Sequence, residues 1–403
     1  MLLRSTTRSQ ILAGLLVLTG CAEGSEISGA AGNAAPAGNS AGNAGGGTGG
    51  AGNSGAGAGS GMGGAGAGGA PASGPCSPPA DLDKPWPLLS DTGCMDAANP
   101  TQFAKELLPY EVNSPLWSDS ADKTRALKLP AGGKIHVRDC AKQPSECPDG
   151  AADSGKWIFP VGTVFVKNFA FDGKLVETRL FVRAADRWVG YGYQWDEAQT
   201  KATLVPDERV KVMFNTGKRT VEWNFPSRID CMKCHNEPGG SSLGPETGQL
   251  NRMVGGMNQI DALAARNVFE TAPAKPYATL ITPYPSDVGQ PPAGASVEDR
   301  ARSYIHANCA YCHRPGSDFP DLDLRLGIPL AQMNICNVVP AKGDVGVPTA
   351  TNLTPKKPME SLMWLRVKAA SGEGRMPQIG TYQVDDAGLK LIGDWINGIS
   401  ACP

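Results

Sequence analysis

The sequence predicts an α+β multidomain protein, in which an antiparallel β-rich domain is followed by mainly α-helical domains. Three observations lead to this fold class. Between Lys134 and Val205 apolar side chains alternate with polar ones at a period of two, as in strands that bury one face. Toward the C-terminus apolar residues recur at helical spacing instead. A glycine-rich segment separates the folded part from the N-terminus.

The composition excludes one class of partner. Lys plus Arg number 37 against 39 for Asp plus Glu, and no dense basic run occurs. Such a balance gives no electrostatic footprint for nucleic acid, so we expect no nucleic-acid binding.

Residues 1–20 have the features of a signal peptide. Arg4 and Arg8 precede the apolar run Ile11 to Leu18, which is too short to span a bilayer. The segment ends in Leu18-Thr19-Gly20-Cys21, which resembles the lipobox of bacterial lipoproteins. The resemblance implies an exported protein that lipid on Cys21 anchors to a bacterial membrane, and Ala22 favours the outer membrane, on its periplasmic or cell-surface face. The alternative is an ordinary cleavage site followed by a chance cysteine.

Residues 21–75 combine this anchor with a linker. Gly and Ala fill 34 of the 47 positions from Ser28 to Gly74, a composition that cannot build a hydrophobic core. We interpret the segment as a flexible tether, with a spacer of unselected length as the alternative.

Residues 76–228 form the predicted β-rich domain. Asp172-Gly173 is a hairpin signal between two alternating runs. We therefore expect an antiparallel meander or sandwich with one buried face. The second alternating run places four residues on one side: Val176, Thr178, Leu180 and Val182, opposite Glu177, Arg179 and Arg183.

Two pentapeptides carry the main chemical signal. Cys231 to His235 (the first motif) and Cys309 to His313 (the second motif) both read C-x-x-C-H, the attachment signature of c-type haem. The two thiols can bind one porphyrin as thioethers, and the adjacent imidazole then ligates the iron. The sequence therefore predicts two covalently bound haem c groups, held by Cys231, Cys234, His235, Cys309, Cys312 and His313. A zinc site and a redox-active dithiol are the weaker alternatives.

Residues 229–290 form the predicted first haem c region. Val221, Trp223 and Phe225 alternate as in a strand and Pro226 follows, so we expect no helix to enter the first motif. A helix is predicted from Asn258, as N-cap, to Glu270. The ligand on the far side of the first iron stays open. The candidates are Met253, Met257, His306, His136, or no side chain at all.

Residues 291–403 form the predicted second haem c domain. Ser296 is a plausible N-cap for a helix that runs into the second motif, and a second helix follows Asp385 and Asp386. A Met-Pro loop at Met376 lies between them. This order resembles class I cytochrome c and implies His313 as proximal ligand and Met376 as distal ligand, with Met359 and Met363 as competitors. The same resemblance implies that the Pro245 carbonyl accepts a hydrogen bond from His235.

Over Val112 to Pro403 the chain resembles a family of exported two-haem c-type cytochromes with a β-rich N-terminal region. The matching segments are Asn113 to Asp119, Trp157 to Thr163, Pro226 to Arg228, Gln249 to Arg252 and His306 to Cys309. This resemblance implies electron transfer with redox partner proteins and no defined substrate. Trp157 to Lys167 also resembles the β domain of the cytochromes that oxidise hydroxylamine.

Two functions therefore stay open. An electron carrier is favoured, and the alternative is a haem enzyme, peroxidase-like or oxidising a small nitrogen substrate, at an open first iron. An adhesion or interaction protein would explain the tether but not the motifs.

Six further cysteines are predicted to form disulfides in an exported chain. Six allow 15 pairings, and sequence proximity favours Cys76 with Cys94, Cys140 with Cys147, and Cys336 with Cys402.

Overall fold

The computed structural model describes residues 76–280, 294–372 and 374–403. The predicted signal peptide, the anchor at Cys21 and the tether lie outside these residues. All described residues fall within one compact unit. Among them, no helix combines the length and the apolar character that crossing a bilayer requires.

A six-stranded antiparallel sheet, in the order β1-β2-β5-β6-β7-β8, forms the centre of the fold. Two-stranded pairs join β9 with β10, β11 with β12, and β3 with β4. The strands are β1 Leu108–Pro109, β2 Asp122–Lys128, β3 His136–Val137, β4 Trp157–Ile158, β5 Val164–Phe171, β6 Lys174–Arg183, β7 Trp188–Trp195, β8 Ala202–Leu204, β9 Val210–Asn215, β10 Thr220–Phe225, β11 Met253–Val254 and β12 Met257–Asn258.

The predicted hairpin at Asp172-Gly173 is confirmed. It joins β5 to β6, and both residues have positive φ, +53° and +85°, as the two central positions of a type I′ turn require. The antiparallel meander expected from the period-two pattern is therefore present.

Both faces of this sheet are covered, which differs from the expected single buried face. One face packs on the segment that the Cys76–Cys94 disulfide closes, through Val166, Leu180 and Tyr193. On the other face, Glu177 is fully buried although its position in the alternation predicts contact with water. Alternation identifies the residues that share a face, but it cannot tell what covers that face.

Six helices occur in the described residues, and most of them are short. They are α1 Arg228–Cys234, α2 Thr247–Leu250, α3 Gln259–Ala265, α4 Val297–Asn308, α5 Leu362–Lys368 and α6 Asp386–Gly398. The predicted caps are confirmed at Asn258 and Ser296, and Asp385 also caps its helix; all three side chains accept backbone N–H groups. The fold is nevertheless β-rich, and mainly α-helical domains are not supported.

The prediction that no helix enters the first motif is wrong. Helix α1 begins directly after Pro226, because Ser227 and Asp230 form a capping box with reciprocal side-chain to backbone hydrogen bonds. Pro226 ends strand β10 and leaves the next residue free to start a helix.

All three predicted disulfides are present: Cys76–Cys94, Cys140–Cys147 and Cys336–Cys402. The four cysteines of the two motifs are free.

Candidate functional site

A single cavity of about 440 Å³ collects the site residues that the sequence predicts. Its volume lies in the range of small-molecule and cofactor pockets, roughly 300–1,000 Å³. The predicted residues that line it are Cys231, Cys234, His235, Cys309, Cys312, His313 and Met376. Two motifs far apart in the chain therefore share one site.

The two motifs touch each other inside this cavity. The Cys312 thiol donates to the Lys233 carbonyl at 3.7 Å, and its interaction with the Cys234 thiol, together with burial, raises the pKa of Cys234. The side-chain amide of Asn236 donates to the Tyr311 carbonyl at 3.2 Å. Burial raises the pKa of Cys231 to about 11 and that of Cys309 to about 12. These two thiols are therefore protonated at neutral pH.

The imidazole of His235 is held in one tautomer. Its Nδ1 donates to the Ser241 carbonyl at 2.6 Å, which leaves Nε2 without a proton. Burial lowers the pKa of His235 to about 3, so the ring is neutral. The expected acceptor, the carbonyl of Pro245, is not used; the turn after the first motif brings Ser241 to the ring instead.

The imidazole of His313 is also neutral, since burial lowers its pKa to about 4. Its Nδ1 is buried and has no hydrogen-bond partner among the described residues. A buried ring nitrogen without a partner is unfavourable, and His313 lacks the hydrogen bond that fixes the tautomer of His235.

Only one of the three candidate methionines near the second motif lines the cavity. Met376 lies in its wall, and its backbone N–H donates to the Arg366 carbonyl at 2.9 Å. Met359 is 67% exposed, and Met363 packs against the C-terminal core.

None of the four side chains considered for the far side of the first iron lines the cavity. Met253 and Met257 lie on the β11–β12 hairpin and are 63% and 53% exposed. They face away because the Gly255-Gly256 turn carries the hairpin toward solvent.

The two histidine candidates have both ring nitrogens occupied. Nδ1 of His306 accepts the Leu326 N–H at 3.1 Å, so its Nε2 donates to Glu246 at 2.9 Å. Burial alone would raise the pKa of Glu246, but His306 holds it below its usual range. His136 contacts Glu270 at 3.0 Å and Glu146 at 2.8 Å, and these hydrogen bonds, led by that with Glu146, raise its pKa.

Three cations that the sequence did not single out also line the cavity. Arg125, Lys167 and Arg179, here called the cation row, lie side by side on β2, β5 and β6. Arg179 forms two hydrogen bonds with Glu177, at 2.7 and 2.8 Å. Burial, followed by the charge of Arg125, lowers the pKa of Lys167 well below its ordinary value. Of the three, the period-two pattern places only Arg179, on the side of its strand opposite the apolar residues, and no local signal distinguishes a cavity from solvent.

Helix α1 approaches the sheet closely at Gly190 of β7. A Cβ at Gly190 would lie 3.0 Å from the Cys231 sulfur. Any side chain there would push the first motif away from the sheet, so the glycine permits the cysteine to reach the cavity wall.

The residues present fit a cofactor whose metal is already bound by a macrocycle, rather than a bare metal ion. In the described ranges, no three or more His, Cys, Asp or Glu side chains are grouped to hold a bare metal ion. Two free thiols and one neutral imidazole per motif are the donor set that c-type haem requires.

No protein-family model, no curated protein and no solved structure matches the chain. Function is therefore inferred from the motifs and from the cavity they share.

Proposed function

We propose that the chain is an exported, membrane-tethered two-haem c-type cytochrome that transfers single electrons between redox partner proteins. The observation that carries the proposal is that both C-x-x-C-H motifs and Met376 line one cavity. The signal peptide, the lipid on Cys21 and the tether of residues 21–75 belong to the same proposal.

Each motif provides one attachment site. Cys231 and Cys234 would hold one haem and Cys309 and Cys312 the other, with His235 and His313 as the proximal ligands. When bound, haem supplies a one-electron iron couple. The Ser241 carbonyl keeps the His235 proton on Nδ1 and so directs Nε2 at the position where the iron would lie.

Met376 would provide a further ligand to the second iron, beside His313. A thioether sulfur is a soft ligand that favours ferrous iron and raises the reduction potential. Phe165, Phe181 and Leu243 give the same cavity an apolar part of its wall.

A haem enzyme at the first motif, peroxidase-like or oxidising a small nitrogen compound, is the second candidate. One observation favours it: none of Met253, Met257, His306 and His136 lines the cavity. An open first iron would bind cyanide or carbon monoxide, and spectra with these ligands separate the two candidates. A first haem that binds neither ligand excludes the enzyme.

The attachment sites can be tested by removing the thiols pairwise. We expect two covalent haems per chain in the wild type, one after Cys231→Ser with Cys234→Ser, and one after Cys309→Ser with Cys312→Ser. Intact mass and the pyridine haemochrome spectrum measure the number.

The matched control is Cys76→Ser with Cys94→Ser, which removes a disulfide whose cysteines lie outside both motifs and do not line the cavity, and which should keep two haems. A wild-type protein that carries no covalent haem after expression with the attachment machinery would overturn the proposal.

A further inference from the structure

We propose that the cation row is an anion-binding subsite: Arg125, Lys167 and Arg179 hold a carboxylate or a small oxyanion inside the cavity, beside His235. Neither the two motifs nor Met376 accounts for these three side chains.

The sheet places the three cations at one level. Arg125 pairs with Lys167 across β2 and β5, and Lys167 pairs with Arg179 across β5 and β6. Side chains directly opposite each other have Cβ atoms about 5 Å apart. All three side chains line the cavity, so one anion can contact two or three of them at once.

The neighbouring pair of residues on the same face of the sheet contacts the first motif. Phe165, two residues before Lys167, is paired with Phe181, two residues after Arg179. The His235 ring packs on Phe181 with centroids 4.1 Å apart. Lys167 and Arg179 both act electrostatically on His235. The subsite is therefore adjacent to the first motif.

Positive charge exceeds negative charge at this end of the cavity. Both carboxylate oxygens of Glu177 already accept hydrogen bonds, two from Arg179 and one, at 2.9 Å, from the indole N–H of Trp223. Within the described residues Lys167 and Arg125 form no ion pair. Glu111 acts on Arg125 but is exposed and bound to Arg252 at 2.8 Å.

The three cations are half-buried in the cavity wall, so this excess of positive charge is unfavourable without a counter-ion. Tyr110, the other ionisable group at Arg125, cannot supply one, because burial raises its pKa to about 12. Phe169 orients two of the cations, with Lys167 Nζ 4.9 Å and the Arg179 guanidinium carbon 4.5 Å from its ring centre. An aromatic ring offsets little of the cost of burying a cation, whereas a bound anion offsets much of it.

Two sources could supply the anionic group. One is a propionate of a haem on the first motif, and in that case the inference rests on the proposed function. The other is a free small anion that enters the cavity, with or without haem. Both present the same chemistry to the cation row.

The experiment uses the full chain with its covalent groups, and the variants Lys167→Gln and Arg125→Gln. Calorimetric titration with sodium acetate tests the free-anion source. Acetate that binds the wild type should bind each variant at least about tenfold more weakly, since a charge-assisted hydrogen bond is lost.

The propionate source is tested in the Cys309→Ser, Cys312→Ser background, which would keep only the first haem. There the resonance Raman band of propionate bending should shift in both variants. Lys167→Arg should restore the wild-type result in either arm, which separates charge loss from misfolding.

Lys174→Gln is the matched control, since Lys174 also lies on β6 but does not line the cavity. If acetate does not bind the wild type and the propionate band does not move, the subsite does not exist. If no covalent haem is found, the proposed function fails, while the acetate titration still decides the anion site.

Discussion

The imidazoles of His235 and His313, each the last residue of a C-x-x-C-H motif, have different hydrogen-bonding partners in the same cavity. Nδ1 of His235 donates to the Ser241 carbonyl, whereas Nδ1 of His313 has no partner in the described part of the chain. A hydrogen bond from the far ring nitrogen makes the ligating nitrogen more basic, which stabilises ferric iron. We therefore expect the first haem to have the lower reduction potential of the two.

Met376→Ala should act on the second haem alone. The methionine–iron absorption band should disappear, and the potential should fall by an amount on the order of 100 mV, since axial ligands set haem potentials over about 0.8 V. Redox titration followed by absorption spectroscopy measures both changes. Met359→Ala is the control, because this side chain is 67% exposed and does not line the cavity. A persistent band in Met376→Ala would exclude this residue as the ligand.

At the scale of elements, the loop between β3 and β4 is tied to the second motif by buried charges. Arg314, which follows His313, donates to the Asp153 carboxylate at 2.7 and 2.8 Å. Arg325 and Lys156 also contact the Asp153 carboxylate, at 3.2 and 3.1 Å. Asp153 is 1% exposed. One carboxylate thus fixes the position of the chain directly after the second motif.

Asp153→Asn should lower the free energy of unfolding by up to about 3–5 kcal/mol, since the buried Arg314 loses both hydrogen bonds to the carboxylate and keeps only Asp149 at 3.5 Å, whereas Arg325 keeps its pair with Asp323. Urea unfolding followed by fluorescence measures the loss. Asp139→Asn in the same loop is the control; its pair with Lys142 is at the surface and screened by solvent, so a much smaller loss than in Asp153→Asn is expected. A loss as small in Asp153→Asn would show that the network is not structural.

The lowered pKa of Asp153 predicts that the stability of the fold decreases in acid. Burial raises the pKa of Asp153, but Lys156 and Arg314 outweigh this effect and hold it at about 2, against an ordinary value of 3.8. A pKa below the unfolded value stabilises the fold above pH 3.8 and loses this contribution as the pH falls toward 2. The pH dependence of unfolding should be weaker over this interval in Asp153→Asn than in the wild type.

Short local sequence patterns predict where helices and turns occur better than they predict which residues pack against them. The caps at Ser296 and Asn258 and the turn at Asp172-Gly173 are read from a few neighbouring residues, and the structure contains all three. The sequence prediction does not include helix α1, because Pro226 indicates a stop, although Ser227 and Asp230 have the spacing of a capping box.

The site was predictable only where its chemistry is local. The two motifs are contiguous, so the sequence identifies their thiols and imidazoles. The cation row lies on three strands and becomes visible only through their register. The pairing of His306 with Glu246, 60 positions earlier in the chain, likewise depends on tertiary contacts.

At the scale of the whole molecule, the segment from Asn113 to Asp119 connects the sheet to the C-terminal part. The Ser114 hydroxyl donates to the Ser303 carbonyl at 3.0 Å, and the Trp117 N–H donates to Asn308 at 2.7 Å. Asp119 accepts the backbone N–H groups of residues 382 and 383 at 2.8 and 2.9 Å. These contacts run between regions that the sequence assigned to separate domains.

We therefore expect a single cooperative unfolding transition for the folded part. Far-ultraviolet circular dichroism, tryptophan fluorescence and haem absorption should give coincident urea curves, since no region can lose its contacts without exposing the others. Two separated transitions would instead favour independently folding units divided near residues 228 and 290.

The contact between Cys234 and Cys312 has a consequence for biogenesis. Cys312 is synthesised 78 residues after Cys234, and the finished fold closes the two motifs on each other. A haem ligase working on the proposed protein would therefore need to reach both motifs before this closure. On the proposed function, we expect maturation to have a fixed order, with export first, covalent loading of the open chain second, and folding last.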